Sequence, residues 1–256
     1  MKSDETILTG GNMNKPVLRN NTVYKEIHSA SHNIHKLLCF VRENGIDWVP
    51  QSFGFVDNKH ALSFLAGNVI HGNPKWIFNK RTLTESAVKL REWHDATVGF
   101  QQINNSWLLS NDEPYEVICH NDFAPYNWVF NKQKHLIGLI DFDTCSPGSR
   151  LWDIAYAAYR NVPLMPHNDV STYSTTSPFP YEKMIKRLRI FLKKYSKGKT
   201  PINYSIEEVI EKVHKRLYAI ADWSENEGKC ANNQELLDHA KMYRLHAEWV
   251  KERSLI

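Results

Sequence analysis

Cysteine is scarce in this chain, with four residues among 256. The four lie far apart, and no Cys-x-x-Cys pair occurs, which argues against a framework of disulfides. Cys39 and Cys119 lie in apolar surroundings, and we interpret them as buried thiols of a reducing compartment. The cysteine pattern therefore predicts a cytoplasmic protein.

Long apolar runs and clusters of basic residues are also missing. No stretch approaches the roughly 18 apolar residues that a membrane span needs, and the first ten residues, MKSDETILTG, contain no apolar signal region. The net charge is +4, but the lysines and arginines are scattered rather than gathered into a basic tail. We therefore expect neither a membrane nor a nucleic acid as a partner.

The most informative stretch runs from residue 116 to residue 143, EVICHNDFAPYNWVFNKQKHLIGLIDFD. Three apolar segments in it are typical of strands: residues 117–119, 128–130 and 136–140. Asp122, Asn127 and Asp141 consequently lie at the ends of buried strands. A buried carboxylate there costs several kcal/mol unless a cation or hydrogen bonds compensate it. Two carboxylates and one carboxamide make an oxygen-rich site that suits Mg²⁺.

The spacing of these residues matches the active-site motifs of protein kinases. The His-x-Asp at residues 120–122 is followed by Asn127, and an Asp-Phe-x motif occupies residues 141–143. In that chemistry one Asp accepts the proton of the attacking hydroxyl, while the Asn and the second Asp hold Mg²⁺ against the phosphates. Asn121 stands where a protein kinase has Arg, and Asp143 stands where it has Gly. These two departures, and the absence of an Ala-Pro-Glu segment, point away from protein kinases.

The segments HNDFAPYN (120–127), IDFD (140–143) and PGSRLWDIA (147–155) together resemble the aminoglycoside phosphotransferase and choline kinase family. The resemblance implies a two-lobed, protein-kinase-like α+β fold. A small β-rich N-terminal lobe would span residues 1–67, and a larger, mostly helical lobe would span residues 68–256. It also implies ATP and Mg²⁺ as cofactors, and transfer of the γ-phosphate to a hydroxyl of a small molecule such as an aminoglycoside, an amino alcohol or a sugar.

The resemblance assigns roles to individual residues of the central stretch. Asp122 would act as the catalytic base. Asn127 and Asp141 would hold Mg²⁺, and Asp143 would hold a second ion or orient the groups around the first. Lys25, on the strand Thr-Val-Tyr-Lys, would neutralise phosphate charge.

The N-terminal region predicts a β-meander with strands near residues 6–9, 17–19 and 22–27. Gly10 and Gly11, in its first turn, would let the backbone approach the nucleotide phosphates. A hairpin follows near residues 53–65, and by the resemblance the backbone of three residues at its end would bind adenine: Ser63, Phe64 and Leu65.

A helix over residues 31–44 follows the meander, and kinases place on it a Glu that pairs with the lysine. Here the candidates for an inward-facing residue are His32, His35 and Glu43. Glu43 lies near the end of the helix. Whether His35 takes the place of the Glu stays open at this point.

The second half of the chain is predicted to be helical, over residues 82–101, 151–160, 181–196, 205–227 and 234–253. The resemblance places the acceptor pocket beyond residue 160. Asp222 and Glu225 would suit a cationic acceptor, and the rings of Trp223 or Trp249 would suit a quaternary amine. Two other functions stay open, a catalytically weak nucleotide-binding module and a protein kinase.

Overall fold

The computed structural model of the protein describes residues 5–8, 16–72, 74–102, 104–167, 176–198 and 200–254. The chain folds into two compact units. Unit 1 contains Met1–Lys75 and Arg91–Ser149, and unit 2 contains Trp76–Leu90 and Arg150–Ile256. The two lobes expected from the sequence, divided at residue 67, stay a prediction.

An antiparallel sheet in the order β1-β2-β3-β5-β4 occupies the first part of unit 1. Its strands are β1 (Thr6–Ile7), β2 (Val17–Arg19), β3 (Thr22–Glu26), β4 (Ser52–Val56) and β5 (Lys59–Ser63). Asn20 and Asn21, with φ values of 48° and 61°, form the turn between β2 and β3. Asparagine tolerates this left-handed conformation, which matches the twist of a tight hairpin. The predicted meander and the hairpin that follows are both confirmed.

Helix α1 (Ser31–Glu43) also belongs to unit 1. Its buried face carries apolar side chains at helical spacing: Ile34, Leu37, Leu38 and Val41. The backbone after the helix turns away at Gly45, where φ is +88°, a conformation that glycine adopts at little cost. The helix predicted over residues 31–44 is therefore confirmed.

The stretch from residue 116 to residue 143 contributes strands to two small sheets in unit 1. One pairs β6 (Asn68–Val69), β8 (Trp128–Phe130) and β9 (Leu136–Leu139), and the other pairs β7 (Val117–Cys119) with β10 (Ser146–Gly148). A short 3₁₀ turn, Pro125–Asn127, leads into β8. Three of these strands were predicted. The apolar pattern did not reveal β10, because it is short and contains Pro147, which lacks an N–H for a strand ladder.

Unit 2 is mostly helical in its described part. After a 3₁₀ turn (Lys75–Phe78) comes α2 (Lys80–Thr97), which belongs to unit 2 up to Leu90 and to unit 1 from Arg91. The other helices belong to unit 2: α3 (Arg150–Asn161), α4 (Tyr181–Tyr195), α5 (Ile206–Cys230) and α6 (Gln234–Ser254). The Ser-x-x-Glu motif at residues 205–208 predicts a capping box, and Ser205 and Glu208 form it at the start of α5. The predicted end of α2 at residue 101 is wrong, because the backbone leaves the helix at Thr97 and Gly99 has a φ of +79°. None of the described helices has the length and apolar character of a membrane span.

Candidate active site

The loop that carries Asp122 is held in place by side-chain amides. Asn121, which stands at the position of the kinase Arg, has a φ of +64°. Its Nδ2 donates to Thr144 O at 2.9 Å and to Ser146 Oγ at 2.8 Å. Asn111 Nδ2 donates to the same Ser146 hydroxyl at 2.9 Å. These bonds brace the loop against the segment that follows Asp143, and local patterns in the sequence give no signal for them.

His120 supports this loop from the core. Its ring is fully buried, with its centroid 5.0 Å from that of Phe142 and 6.4 Å from that of Trp93. Trp93 in turn donates from Nε1 to Ile118 O at 2.8 Å. The aromatic packing therefore fixes the start of the loop that presents Asp122.

Both oxygens of the Asp122 carboxylate accept hydrogen bonds from neighbouring residues. Asn127 Nδ2 donates to Oδ2 at 2.8 Å and to the backbone oxygen of Asp122 at 3.0 Å. The phenol of Tyr126, a residue the sequence analysis did not single out, donates to Oδ1. A carboxylate offers about four acceptor positions, so these bonds orient Asp122 and leave it able to accept from a further hydroxyl.

Asn127 and Asp141 are brought together by pairing between β8 and β9. Ile140 N donates to Asn127 O at 2.9 Å, which places Asp141 directly after the residue bonded to Asn127. Asp141 then has a φ of +65°, which turns the chain at the end of the strand. Because Asn127 directs its Nδ2 to Asp122, its Oδ1 is the atom left to face a cation.

Lys25, on β3, lies between the two carboxylates that follow β9. Its Nζ is 2.9 Å from Asp141 Oδ1 and 2.6 Å from Asp143 Oδ2. Burial by itself lowers the pKa of Lys25. The two carboxylates together have the larger effect, so the pKa of Lys25 is raised above its ordinary value. The ammonium group shows that Asp141 and Asp143 can converge on a single positive charge.

Asp143 is mostly buried, beside Lys25 and His28. Burial favours its neutral form, but the hydrogen bond from His28 and the charge of Lys25 outweigh burial. They hold the pKa of the Asp143 carboxyl well below its ordinary value. His28 Nε2 lies 3.4 Å from Asp143 Oδ1. Asp143 is therefore ionised at neutral pH and available to a cation.

The residues present fit a magnesium ion bound together with a nucleotide. Among the described residues, no group of three or more His, Cys, Asp or Glu side chains could by itself hold a metal ion. Mg²⁺ in kinases usually takes one or two carboxylates and completes its shell with water and substrate phosphates. Asp141, Asp143 and the Oδ1 of Asn127 would supply such a partial shell.

His35 does not replace the kinase Glu as a partner of Lys25. Its Nδ1 is 2.8 Å from Ser52 Oγ, and Ser52 Oγ is 2.7 Å from His60 Nε2. The other two candidates, His32 and Glu43, are both exposed and do not take that place either. Lys25 instead takes its acidic partners from the segment after β9, which lies 116 residues along the chain.

The predicted adenine-binding residues lie at the end of β5. The backbone N–H of Ser63 donates to Gln51 O at 2.8 Å, and that of Phe64 donates to Asn21 O at 3.0 Å. Leu65 follows, half-buried. The proposed contact with adenine stays a prediction, and two of its three N–H groups are already bonded. Gly10 and Gly11 lie outside the residues that the structure describes.

The arrangement of the unit 1 sheet, the lysine on β3 and the two polar loops around β8 and β9 is that of a kinase-like fold. A model described as "Phosphotransferase enzyme family" matches residues 58–171. The predicted resemblance is thereby confirmed, and the predicted class, a phosphotransferase acting on a small molecule, agrees with this match. A search of curated protein sequences finds no match.

Solved structures of similar fold cover almost the whole chain. A choline/ethanolamine kinase family protein from Mesorhizobium loti is 11% identical, with a TM-score of 0.66 over 98% of this chain and 89% of the other. Choline kinase from Cryptosporidium parvum is 13% identical, with a TM-score of 0.64 over 99% and 90%. An ADP-bound aminoglycoside phosphotransferase is 15% identical, with a TM-score of 0.59 over 97% and 95%. At these identities the likeness confirms the predicted kinase-like α+β fold.

The residues expected to recognise a cationic acceptor are engaged within unit 2. Arg244 Nη1 is 2.6 Å from Asp222 Oδ1, and Arg244 Nη2 is bonded to the carboxylate of Glu225. The guanidinium of Arg253 lies 4.0 Å from the ring centroid of Trp249. Arginine side chains thus already pair with Asp222, Glu225 and the ring of Trp249, three of the four residues predicted to bind a cationic acceptor.

Proposed function

We propose that this protein transfers the γ-phosphate of ATP to a hydroxyl group of a small molecule. The observation that carries the proposal is the convergence of Asp141 and Asp143 on one positive charge, the Nζ of Lys25 at 2.9 and 2.6 Å. Asn127 accepts a hydrogen bond from the backbone N–H of Ile140, the residue before Asp141, and its Nδ2 donates to Asp122. A cation site next to an oriented carboxylate is what phosphoryl transfer to a hydroxyl requires.

In this proposal Asp122 positions the acceptor and takes its proton. The acceptor hydroxyl donates to the carboxylate that Tyr126 and Asn127 hold in place. As the hydroxyl oxygen bonds to the γ-phosphorus, the bond from that phosphorus to the β-phosphate oxygen breaks, and the proton passes to Asp122. Asp122 takes up the proton only in the transition state, where the hydroxyl becomes acidic.

Lys25 and the proposed Mg²⁺ ligands neutralise the charge that develops on the phosphates. Lys25 supplies a fixed positive charge, and its raised pKa keeps it protonated at neutral pH. Asn127, Asp141 and Asp143 would hold Mg²⁺, which when bound neutralises phosphate charge. Because the transition state of phosphoryl transfer is loose, positioning and charge neutralisation carry most of the rate. A cytoplasmic location, where ATP and Mg²⁺ are plentiful, belongs to this proposal.

The experiment is an assay of phosphate transfer from Mg-ATP to a panel of aminoglycosides, amino alcohols and sugars. For an acceptor that is phosphorylated, Asp122→Ala should lower turnover by about 10²–10⁴-fold, because the base is lost. Binding of Mg-ATP should change little. Asp112→Asn, at an exposed position in unit 1, is the matched control and should retain wild-type turnover. An Asp122→Ala protein that turns over at the wild-type rate would contradict the assignment of the base.

A nucleotide-binding module with weak or no catalysis is the second candidate. It is favoured by one observation, that Lys25 is bound to the two carboxylates proposed for Mg²⁺ rather than to an acidic side chain of α1. Saturable binding of Mg-ATP without phosphate transfer to any acceptor of the panel or to water would support this candidate. Transfer that depends on Asp122 would exclude it.

A further inference from the structure

His28, between β3 and α1, is held by the first turn of the helix. Its backbone N–H donates to Ser31 Oγ at 2.9 Å, and Ser31 N donates back to His28 O at 3.0 Å. Ser31 is buried, with 1% of its surface exposed. The backbone at His28 is therefore fixed by two reciprocal bonds to a residue anchored in the core.

The orientation of the His28 ring follows from a third bond. Ala30 N donates to His28 Nδ1 at 3.3 Å. Since Nδ1 accepts a hydrogen bond there, this bond assigns the proton of the neutral ring to Nε2. Nε2 is the ring atom that lies 3.4 Å from Asp143 Oδ1. The local structure thus directs an N–H group at one oxygen of Asp143.

The other oxygen of Asp143 is the one that meets the positive charge. Oδ2 lies 2.6 Å from Lys25 Nζ, and that same Nζ lies 2.9 Å from Asp141 Oδ1. A carboxylate held at Oδ1 cannot rotate without losing the contact with His28. The position of Oδ2 relative to Asp141 therefore depends on His28.

We propose that His28 is a positioning residue of the magnesium–nucleotide site, which holds Asp143 so that its Oδ2 stays turned toward the cation position shared with Asp141. The inference rests on the proposed function. Groups that hydrogen-bond to a metal ligand orient that ligand, and their loss typically weakens metal binding by about 10–100-fold. His28 would act through Asp143 and would not itself contact the metal ion.

The test compares two substitutions that differ in one hydrogen-bond donor. His28→Gln places an amide N–H near the position of Nε2, whereas His28→Met fills similar space without a donor. His32→Met is the matched control, because His32 is an exposed histidine of the same segment that stacks on Phe55. Binding of the non-hydrolysable analogue AMP-PNP is measured by calorimetry, once with Mg²⁺ and once with EDTA, and melting temperatures report folding.

We expect His28→Met to weaken binding of Mg-AMP-PNP by about 10-fold or more and to leave binding in EDTA within about 2-fold of wild type. His28→Gln and His32→Met should both bind Mg-AMP-PNP nearly as the wild type does. Equal weakening in Mg²⁺ and in EDTA, equal weakening by Gln and Met, or no weakening by Met would each overturn the inference. Failure of the wild-type protein to bind Mg-AMP-PNP would instead overturn the proposed function, and this inference with it.

Discussion

At the scale of the residue, Lys25 defines the chemistry of the candidate site. Its ammonium group is mostly buried and lies within hydrogen-bonding distance of both Asp141 and Asp143. Two carboxylates so close to each other repel unless a cation lies between them. The lysine therefore stabilises the pair in the protein as it stands, and the pair marks the position where a metal ion fits.

The role of Asp141 as a metal ligand can be tested through linkage between metal and nucleotide. Asp141→Asn removes one negative charge from the proposed shell, so binding of Mg-AMP-PNP should weaken by about 10-fold or more, because loss of a group that only orients a metal ligand already costs about 10–100-fold. Binding in EDTA should barely change. Calorimetric titration under both conditions measures the difference, with the exposed substitution Asp112→Asn as the control. Equal losses with and without Mg²⁺ would show that Asp141 is not a ligand.

At the scale of the element, α1 is attached to the sheet by a chain of polar side chains. His35 on α1 contacts Ser52 on β4, and Ser52 contacts His60 on β5. His60 is opposite Lys25 in the register of β3 and β5. The bridge ties the helix to the strand next to Lys25 without pairing with the lysine itself.

This bridge should make stability depend on pH. Burial, and next the proximity of His35, lower the pKa of His60 to about 4, from an ordinary value near 6.5. Between these values the unfolded chain binds the proton more readily, so the stabilising contribution is present above about pH 6.5 and is lost as the pH falls toward 4. At about 1.4 kcal/mol per unit of pKa, the loss has an upper limit of about 3 kcal/mol.

Urea unfolding of the wild type and of His60→Gln, at several values of pH between 7 and 4, measures this contribution. The free energy of unfolding should fall more steeply in the wild type than in His60→Gln. His32→Gln, at an exposed position, should follow the wild-type curve. Parallel curves for the wild type and His60→Gln would contradict the assignment of the lowered pKa to His60.

Arg187 on α4 shows how a buried charge organises the helices of unit 2. Its guanidinium donates to Phe78 O at 2.6 Å, to Asn161 O at 2.9 Å and to Val162 O at 3.2 Å. Burial lowers the pKa of Arg187 to about 10, which still leaves it charged at neutral pH. The arginine therefore satisfies backbone carbonyls at the end of α3 that the helix cannot bond internally.

Arg187→Leu should destabilise the protein by about 2–4 kcal/mol, because three carbonyls lose a charged donor in a buried place. Arg189→Leu, on the exposed face of the same helix, should change the free energy of unfolding by less than about 0.5 kcal/mol. Urea titration gives both values. A loss in Arg187→Leu no larger than that in Arg189→Leu would show that the carbonyl contacts contribute little.

At the scale of the whole molecule, the predicted nucleotide residues that the structure describes all belong to unit 1. The segments that carry most of them are 22–28, 120–127 and 140–143. Unit 2 contains α4 to α6, which a sequence-based expectation links to the acceptor. The segment PGSRLWDIA (147–155), which contributes to the resemblance, includes Asp153, and this residue is fully buried in the first turn of α3.

Bound nucleotide should therefore slow amide hydrogen exchange in these segments of unit 1 more than in the helices of unit 2. Mg-AMP-PNP at about 100 times its dissociation constant stabilises the bound form by about 2.7 kcal/mol. Amides in 22–28, 120–127 and 140–143 that exchange by local opening should slow by up to about 100-fold. Amides of α5 and α6 that exchange by local opening should change little. Mass-spectrometric exchange that shows the greatest slowing in α5 and α6 would place the nucleotide elsewhere.

The sequence determined by itself those features that depend on neighbours along the chain. Period-two and period-3.6 patterns located the strands around Asp122 and Asp141 and the long helices, because each element buries one face regardless of its partner. The order of polar residues at strand ends indicated an oxygen-rich site. The capping box at Ser205 followed from spacing alone.

Only the tertiary structure decided which side chains meet. Lys25 pairs with residues 116 and 118 positions away, and no pattern near Lys25 in the sequence indicates these partners. The contacts of His28 with Asp143 and of Asn111 with Ser146 likewise join residues from segments that are distant in the sequence. A local pattern fixes the face on which a residue lies, whereas its partner is fixed by the packing of distant segments. For this reason the helix histidines could not be assigned from sequence.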